Sequence, residues 1–235
     1  MEEKNIDYIK KFKETPVTFI LVAINLIVFI VIEIMGGTTN SQLMLRCGVN
    51  NYTMVIYYGQ WYRLFTCMFL HFGIEHLFNN MLLLFLLGQI FEKAVGSTRF
   101  AAIYLGSGMA ASFMSLCYQG LTNQNDLIAG ASGAIFGIVG GMLIVILVHK
   151  GRYHGITIRR MIFMAVLTLY FGFATAGTDN IGHMVGLLFG IVISFFIYGI
   201  PTILQNLIRA KRASHVEFED ENKYTLDKSI EDEGR

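Results

Sequence analysis

Residues 130–137 read GASGAIFG, and the chain continues as IVGGMLIVILV to Val148 without a charge. Ser132 therefore stands among small residues where a polar loop gives way to an apolar run of about 17 residues, close to what a helix needs to cross a bilayer's hydrocarbon core. Serine is a preferred helix N-cap, so by itself it signals only a helix start. The fold is decided by the recurrence of such runs. Of 235 residues, 54% are hydrophobic and only 15% charged, a balance that excludes an ordinary soluble domain.

The spacing predicts membrane helices at Val17–Met35, His76–Val95, Phe100–Tyr118, Ser132–Val148, Met161–Phe173 and Ile181–Leu204. The fifth, at roughly 13 residues, is short for a crossing. The first is too long for a signal-peptide core and lacks an A-x-A-like end. Gly36–Gly73 is a long connection whose Tyr57, Tyr58, Trp61 and Tyr62 favour headgroup depth. The expected fold is all-α: a polytopic bundle of six membrane helices with a long interfacial loop between the first two. Three cysteines, Cys47, Cys67 and Cys117, have no metal-ligand spacing and an odd count, and read as free thiols.

Charge gives direction. Lys4, Lys10, Lys11 and Lys13 precede the first helix, Lys150, Arg152, Arg159 and Arg160 separate the fourth and fifth, and Arg209, Lys211 and Arg212 follow the sixth. Lys and Arg favour the cytoplasmic side. Gln119–Ala131 and Ala174–Asn180 contain neither residue and should face outward. Both termini are then cytoplasmic in a multi-pass plasma-membrane protein. It divides into a cytoplasmic segment 1–14, a membrane domain 15–205 and an acidic tail 206–235 expected to be disordered.

Glycines recur every four residues, at Gly133, Gly137 and Gly141 and again at Gly182, Gly186 and Gly190. Small residues at that interval let two backbones approach closely, so the fourth and sixth helices should pack together. Polar residues inside membrane helices are costly and point to function. His76 and Asn80, Ser132, and His183 each lie in the first turn or two of a helix entering from the outer side, within about 8 Å of one depth.

If the glycines mark the contact, Ser132 and His183 lie one turn further out and can meet. A neutral histidine that accepts its proton turns a serine into a usable nucleophile. Acyl transfer also needs donors for the tetrahedral oxyanion. His76 and Asn80, four apart on one helical face, carry such groups, and the Ser132 N–H at a helix start is unpaired by the helix. Asp126 and Asp179 are the nearby carboxylates, and both should be solvated, which favours a Ser–His dyad over a triad. The Phe136 ring, one turn past Ser132, can hold the imidazole by stacking.

These residues resemble the rhomboid family of intramembrane serine proteases, over roughly Trp61 to Gly190. The motifs are WYR at Trp61–Arg63, HxxxN at His76–Asn80, GASG at Gly130–Gly133, and HxxG at His183–Gly186 with a following glycine at Gly190. The resemblance implies Ser132 as nucleophile, His183 as general base, and His76, Asn80 and the Ser132 amide as oxyanion donors. It implies substrates that are transmembrane segments of single-span proteins, cut near the outer membrane boundary after a small residue. It further implies a cap at Ala174–Asn180, a side entrance at the fifth helix, a structural role for Trp61 and Arg63, and a packing role for Glu92. Phe136 stands where some bacterial relatives carry tyrosine.

No cofactor, metal or nucleic-acid partner is expected; the lipid bilayer is. His71 reads as a support of the long loop, and His149, His154 and His215 as structural or solvated. The alternatives are a transporter using His71, His76 and His183 for an ion or protons, and a non-catalytic protein that binds membrane helices. Against the first, the fourth and sixth helices offer almost no polar residue toward their inner ends.

Overall fold

Pro16, whose missing N–H costs nothing at a helix start, begins helix α1 (Pro16–Met35) in the computed structural model, which describes residues 13–174 and 177–213. Most of the expected segment 1–14, residues 175 and 176 of the connection 174–180, and 214–235 of the acidic tail lie outside the described residues. The long connection holds two short helices, α2 (Ser41–Cys47) and α3 (Arg63–Thr66). Then come α4 (Gly73–Val95), α5 (Ser97–Thr122) and α6 (Ser132–Val148). A two-stranded antiparallel hairpin, β1 (Arg152–Tyr153) and β2 (Ile156–Thr157), leads into α7 (Ile158–Ala174) and α8 (Asn180–Ser194). A π-helical turn, Phe195–Gly199, carries α8 onward, so that helix runs from Asn180 to Ala213.

The boundaries differ from the spacing where helix geometry persists through polar residues. α4 begins at Gly73, which puts His76 in its first turn. α7 gains Ile158, Arg159 and Arg160 at its start and Ala174 at its end, and reaches 17 residues. The last helix passes the expected end at Leu204, through Arg209, Lys211 and Arg212, all good helix formers. Among the described residues four helices are long and apolar enough to cross a membrane, namely α1, α4, α5 and the extended α8, while α6 is a shorter apolar helix. Outward, α1 shows Ile20, Ile27, Ile30 and Ile34, and α4 shows Phe78, Leu82 and Leu86, all exposed. Apolar faces of that extent suit lipid, not water. The protein is a multi-pass helical membrane protein.

α6 is the central post. From Ala134 to Ile146 all but Leu143 are buried, packed between α4, α5 and α8. A Cβ on Gly186 would collide with the carbonyl of Gly133, and one on Gly190 with the carbonyl of Gly137. Those two glycines let α8 lie against the α6 backbone. Gly133 and Gly137 themselves make room on a different side, where a Cβ would strike Ala111 and Ser107 of α5. The two glycine stripes therefore do not simply face each other.

Glu92, buried near the end of α4, accepts hydrogen bonds from Val17 N (3.0 Å), Thr18 N (2.8 Å), Thr18 Oγ1 (2.7 Å) and Ser97 Oγ (2.6 Å). A buried carboxylate needs such partners, and these tie the starts of α1 and α5 to α4. In the long connection Arg63 is buried and donates to Leu45 O (2.7 Å), Val49 O (2.9 Å) and Gln60 Oε1 (2.7 Å). Tyr57, Tyr58, Trp61 and Tyr62 are exposed.

Candidate active site

The approach to α6 is held before its serine is placed. Gly130 N donates to Cys67 O (2.9 Å), and Ala131 N donates to His71 Nε2 (3.3 Å). His71 is buried, and burial, reinforced by the neighbouring His76, pushes its imidazole down to about 3. It is therefore neutral at physiological pH and free to accept that N–H. Gly130 takes φ of +127°, a region that favours glycine. The turn delivers Ser132 to the first position of α6, where its N–H has no carbonyl of its own helix to bond.

Ser132 Oγ lies 2.8 Å from Nε2 of His183 in the first turn of α8. The Phe136 ring stacks on the imidazole, with centroids 4.5 Å apart and planes 23° apart. His183 is buried, and its Nδ1 has no hydrogen-bond partner. Among the described residues no carboxylate orients the ring through that nitrogen.

Asp179, however, is not the solvated residue that the sequence suggests. As N-cap of α8 it accepts from Gly182 N (2.9 Å) through Oδ1 and from Ser115 Oγ (2.6 Å) through Oδ2. The carboxylate fixes the first turn of α8 against α5 and so sets where His183 begins. Asp126 is exposed.

His76 approaches from α4. Its Nε2 lies 2.7 Å from the position a Cβ would take on Gly130, and that position is 3.8 Å from Ser132 Oγ. The space above Gly130 is thus bordered by a serine oxygen and a histidine nitrogen. His71 packs edge-on to His76, with centroids 5.0 Å apart. Asn80 is buried and gives Nδ2 to His76 O (3.0 Å), which leaves one of its two amide hydrogens. It makes no direct contact with Ser132 among those described.

Sequence reasoning missed His71 and Asp179 as shapers of this site. Asp179 carried a usable signal, an Asp just before an apolar helix; His71, in an aperiodic loop, carried none. Among the described residues no three His, Cys, Asp or Glu gather closely enough to hold a metal ion.

The fold and site define a polytopic membrane protein with a serine–histidine pair set between three helix starts. A family model, the Rhomboid domain, matches residues 58–200, and the chain belongs to the rhomboid family. It is 36% identical over 173 residues to Rhomboid protease GluP of Bacillus subtilis, covering 74% of this chain and 33% of that protein. Putative rhomboid protease YdcA of the same organism is 29% identical, over 77% of this chain and 87% of YdcA. RHOMBOID-like protein 1 of Arabidopsis thaliana is 32% identical, over 66% of this chain and 39% of that protein. The chain thus spans a minor part of GluP and of the plant protein, and most of YdcA.

Proposed function

We propose that the protein is an intramembrane serine endopeptidase that cuts single-span membrane proteins near the outer membrane boundary. The observation that carries this reading is the 2.8 Å contact between Ser132 Oγ and His183 Nε2. It joins a nucleophile to its base between two helices of a membrane bundle.

In the proposed reaction Ser132 Oγ attacks the scissile carbonyl carbon while its proton passes to His183 Nε2. The carbonyl oxygen becomes an oxyanion, received by the Ser132 N–H, His76 Nε2 and Asn80. The intermediate collapses, the C–N bond breaks, and His183 gives its proton to the leaving amine. A water deprotonated by His183 then releases the acyl group from Ser132. Phe136 holds the imidazole face while it carries the proton.

With α6 and α7 also crossing, six passes leave both termini on one side of the plasma membrane; the Lys and Arg at 150–160 and 209–212 favour the cytoplasm for that side and the outer face for the serine. Residues 15–205 form the protease domain, 174–180 its cap, and α7 the side entrance for the substrate helix. The test is reconstitution of the purified protein in liposomes with a labelled single-span substrate beside Ser132→Ala. Cleavage by the unaltered protein alone is expected; equal cleavage by both would overturn the reading.

A further inference from the structure

The opposite end of α6 carries a feature the serine–histidine site does not use. From Val148 the chain turns through Lys150 and Gly151 into the β1–β2 hairpin, and it enters α7 at Ile158. Residues 149–160, HKGRYHGITIRR, hold four Lys or Arg and no Asp or Glu. Arg152, Arg159 and Arg160 are exposed, and none pairs with a described carboxylate. All three line one open cavity of about 540 Å³, together with Thr157, Gly151 and Gly155. Three guanidinium groups around one concavity repel each other unless an anion is shared between them.

The rest of the cavity suits the same anion. Gly151 and Gly155 have positive φ, and a Cβ on either would meet nothing within 4 Å, so bare backbone faces open space. The first turn of α7 adds the positive end of a 17-residue helix. Thr157 Oγ1 caps that helix by accepting from Arg160 N (3.4 Å).

A second cavity, of about 450 Å³, lies on the wall formed by α1 and α4. Phe19, Phe85 and Ile90 give it an apolar surface, and Lys93 and His154 stand at its polar end. His154 belongs to the hairpin and immediately precedes Gly155 of the arginine cavity. An anion-receiving concavity and an apolar groove thus meet at one hairpin, at the end of the bundle about 25 Å from Ser132 by the rise of α6.

We propose that the β1–β2 hairpin and the first turn of α7 bind the headgroup of an anionic phospholipid. Arg152, Arg159 and Arg160 take the phosphate, and the groove along Phe19, Phe85 and Ile90 takes an acyl chain. Guanidinium forks match phosphate oxygens. A headgroup bearing its own ammonium would bring a cation against three arginines, so the site selects phosphatidylglycerol-type over choline headgroups. The apolar groove makes a lipid, not a free phosphate compound, the occupant.

The test is lipid retention by the purified full-length protein in detergent micelles, read by native mass spectrometry after equilibration with phosphatidylglycerol or phosphatidylcholine. The unaltered protein should retain phosphatidylglycerol at roughly tenfold lower lipid concentration, and R152Q/R159Q/R160Q should erase that preference. R209Q/K211Q/R212Q removes the same charge at the far end of α8 and should leave the preference intact. Equal loss in both triple variants, or no preference in the unaltered protein, overturns the site in favour of diffuse charge. Glycerol 3-phosphate in excess should displace nothing; displacement would overturn the lipid assignment and name a soluble phosphate compound instead. Thermal unfolding in the same micelles checks the fold. R159Q alone should already weaken retention about threefold or more, and no change in a folded R159Q would also overturn the site.

Discussion

Gly130 and His76 share one small volume, for the place a Cβ would occupy on Gly130 lies 2.7 Å from His76 Nε2. A methyl group there would displace the imidazole and fill the space facing Ser132. Gly130→Ala is expected to lower kcat/KM on a single-span substrate by about 100-fold or more, the scale of losing an oxyanion donor. Turnover in proteoliposomes checks it, and a rate near that of the unaltered protein would remove the pocket from this position.

The oxyanion donors should be separable from the nucleophile and base. His183→Ala and Ser132→Ala are expected to leave no detectable turnover. Asn80→Ala should reduce it by roughly 10- to 1000-fold, because it removes one donor among several. An unchanged rate for Asn80→Ala would show that its remaining amide hydrogen does not serve the reaction.

Gly186 and Gly190 test the backbone contact between α8 and α6. Either changed to alanine drives a Cβ into a carbonyl oxygen of Gly133 or Gly137. Overpacking of this kind costs about 1–3 kcal/mol. The unfolding midpoint in detergent should fall, and activity should fall with it, because His183 rides on the displaced helix.

Asp179 is expected to act through the first turn of α8. Asp179→Ala removes an N-cap and should cost about 0.5–2 kcal/mol. Asp179→Asn can still accept from Gly182 N and should cost less. Chemical unfolding of the two variants gives the comparison, and equal losses would mean that the cap is not what Asp179 contributes.

His71 gives a stability signature in pH. Its imidazole is pushed from the ordinary 6.5 down to about 3 in the folded protein, chiefly by burial. Below about pH 6.5 the unfolded chain therefore binds a proton that the folded one refuses, so this stability is present above that pH and is lost as pH falls toward 3. The melting temperature of His71→Gln should decline less steeply between about pH 7 and about pH 5 than that of the unaltered protein; parallel curves would contradict the buried neutral state.

What could be read in advance follows from how local each signal is. Ser132–Val148 is legible because a small polar start and an unbroken apolar run lie next to each other in the chain. The proximity of Ser132 and His183 is legible because depth in a membrane is one coordinate, shared by residues at matching helix ends. The partial burial of Asp179 is not, because it is set by Ser115 on α5, and nothing in the spacing links them. Nor is the turn of Gly133 and Gly137 toward α5, since a four-residue stripe specifies a face but not the neighbour that occupies it. The extra turns at Gly73 and Ile158 were hidden by polar residues that a hydropathy reading assigns to loops.

Fifty-one positions separate Ser132 from His183, and the histidine sits on α8, the last of the described helices. During synthesis the serine is therefore inserted well before its base is made. On the proposed mechanism a nascent or truncated chain holds only an ordinary alcohol, incapable of attacking neighbouring proteins or itself. Competence arrives when α8 docks on the glycine carbonyls of α6. The order of residues along the chain thus acts as a safeguard during synthesis.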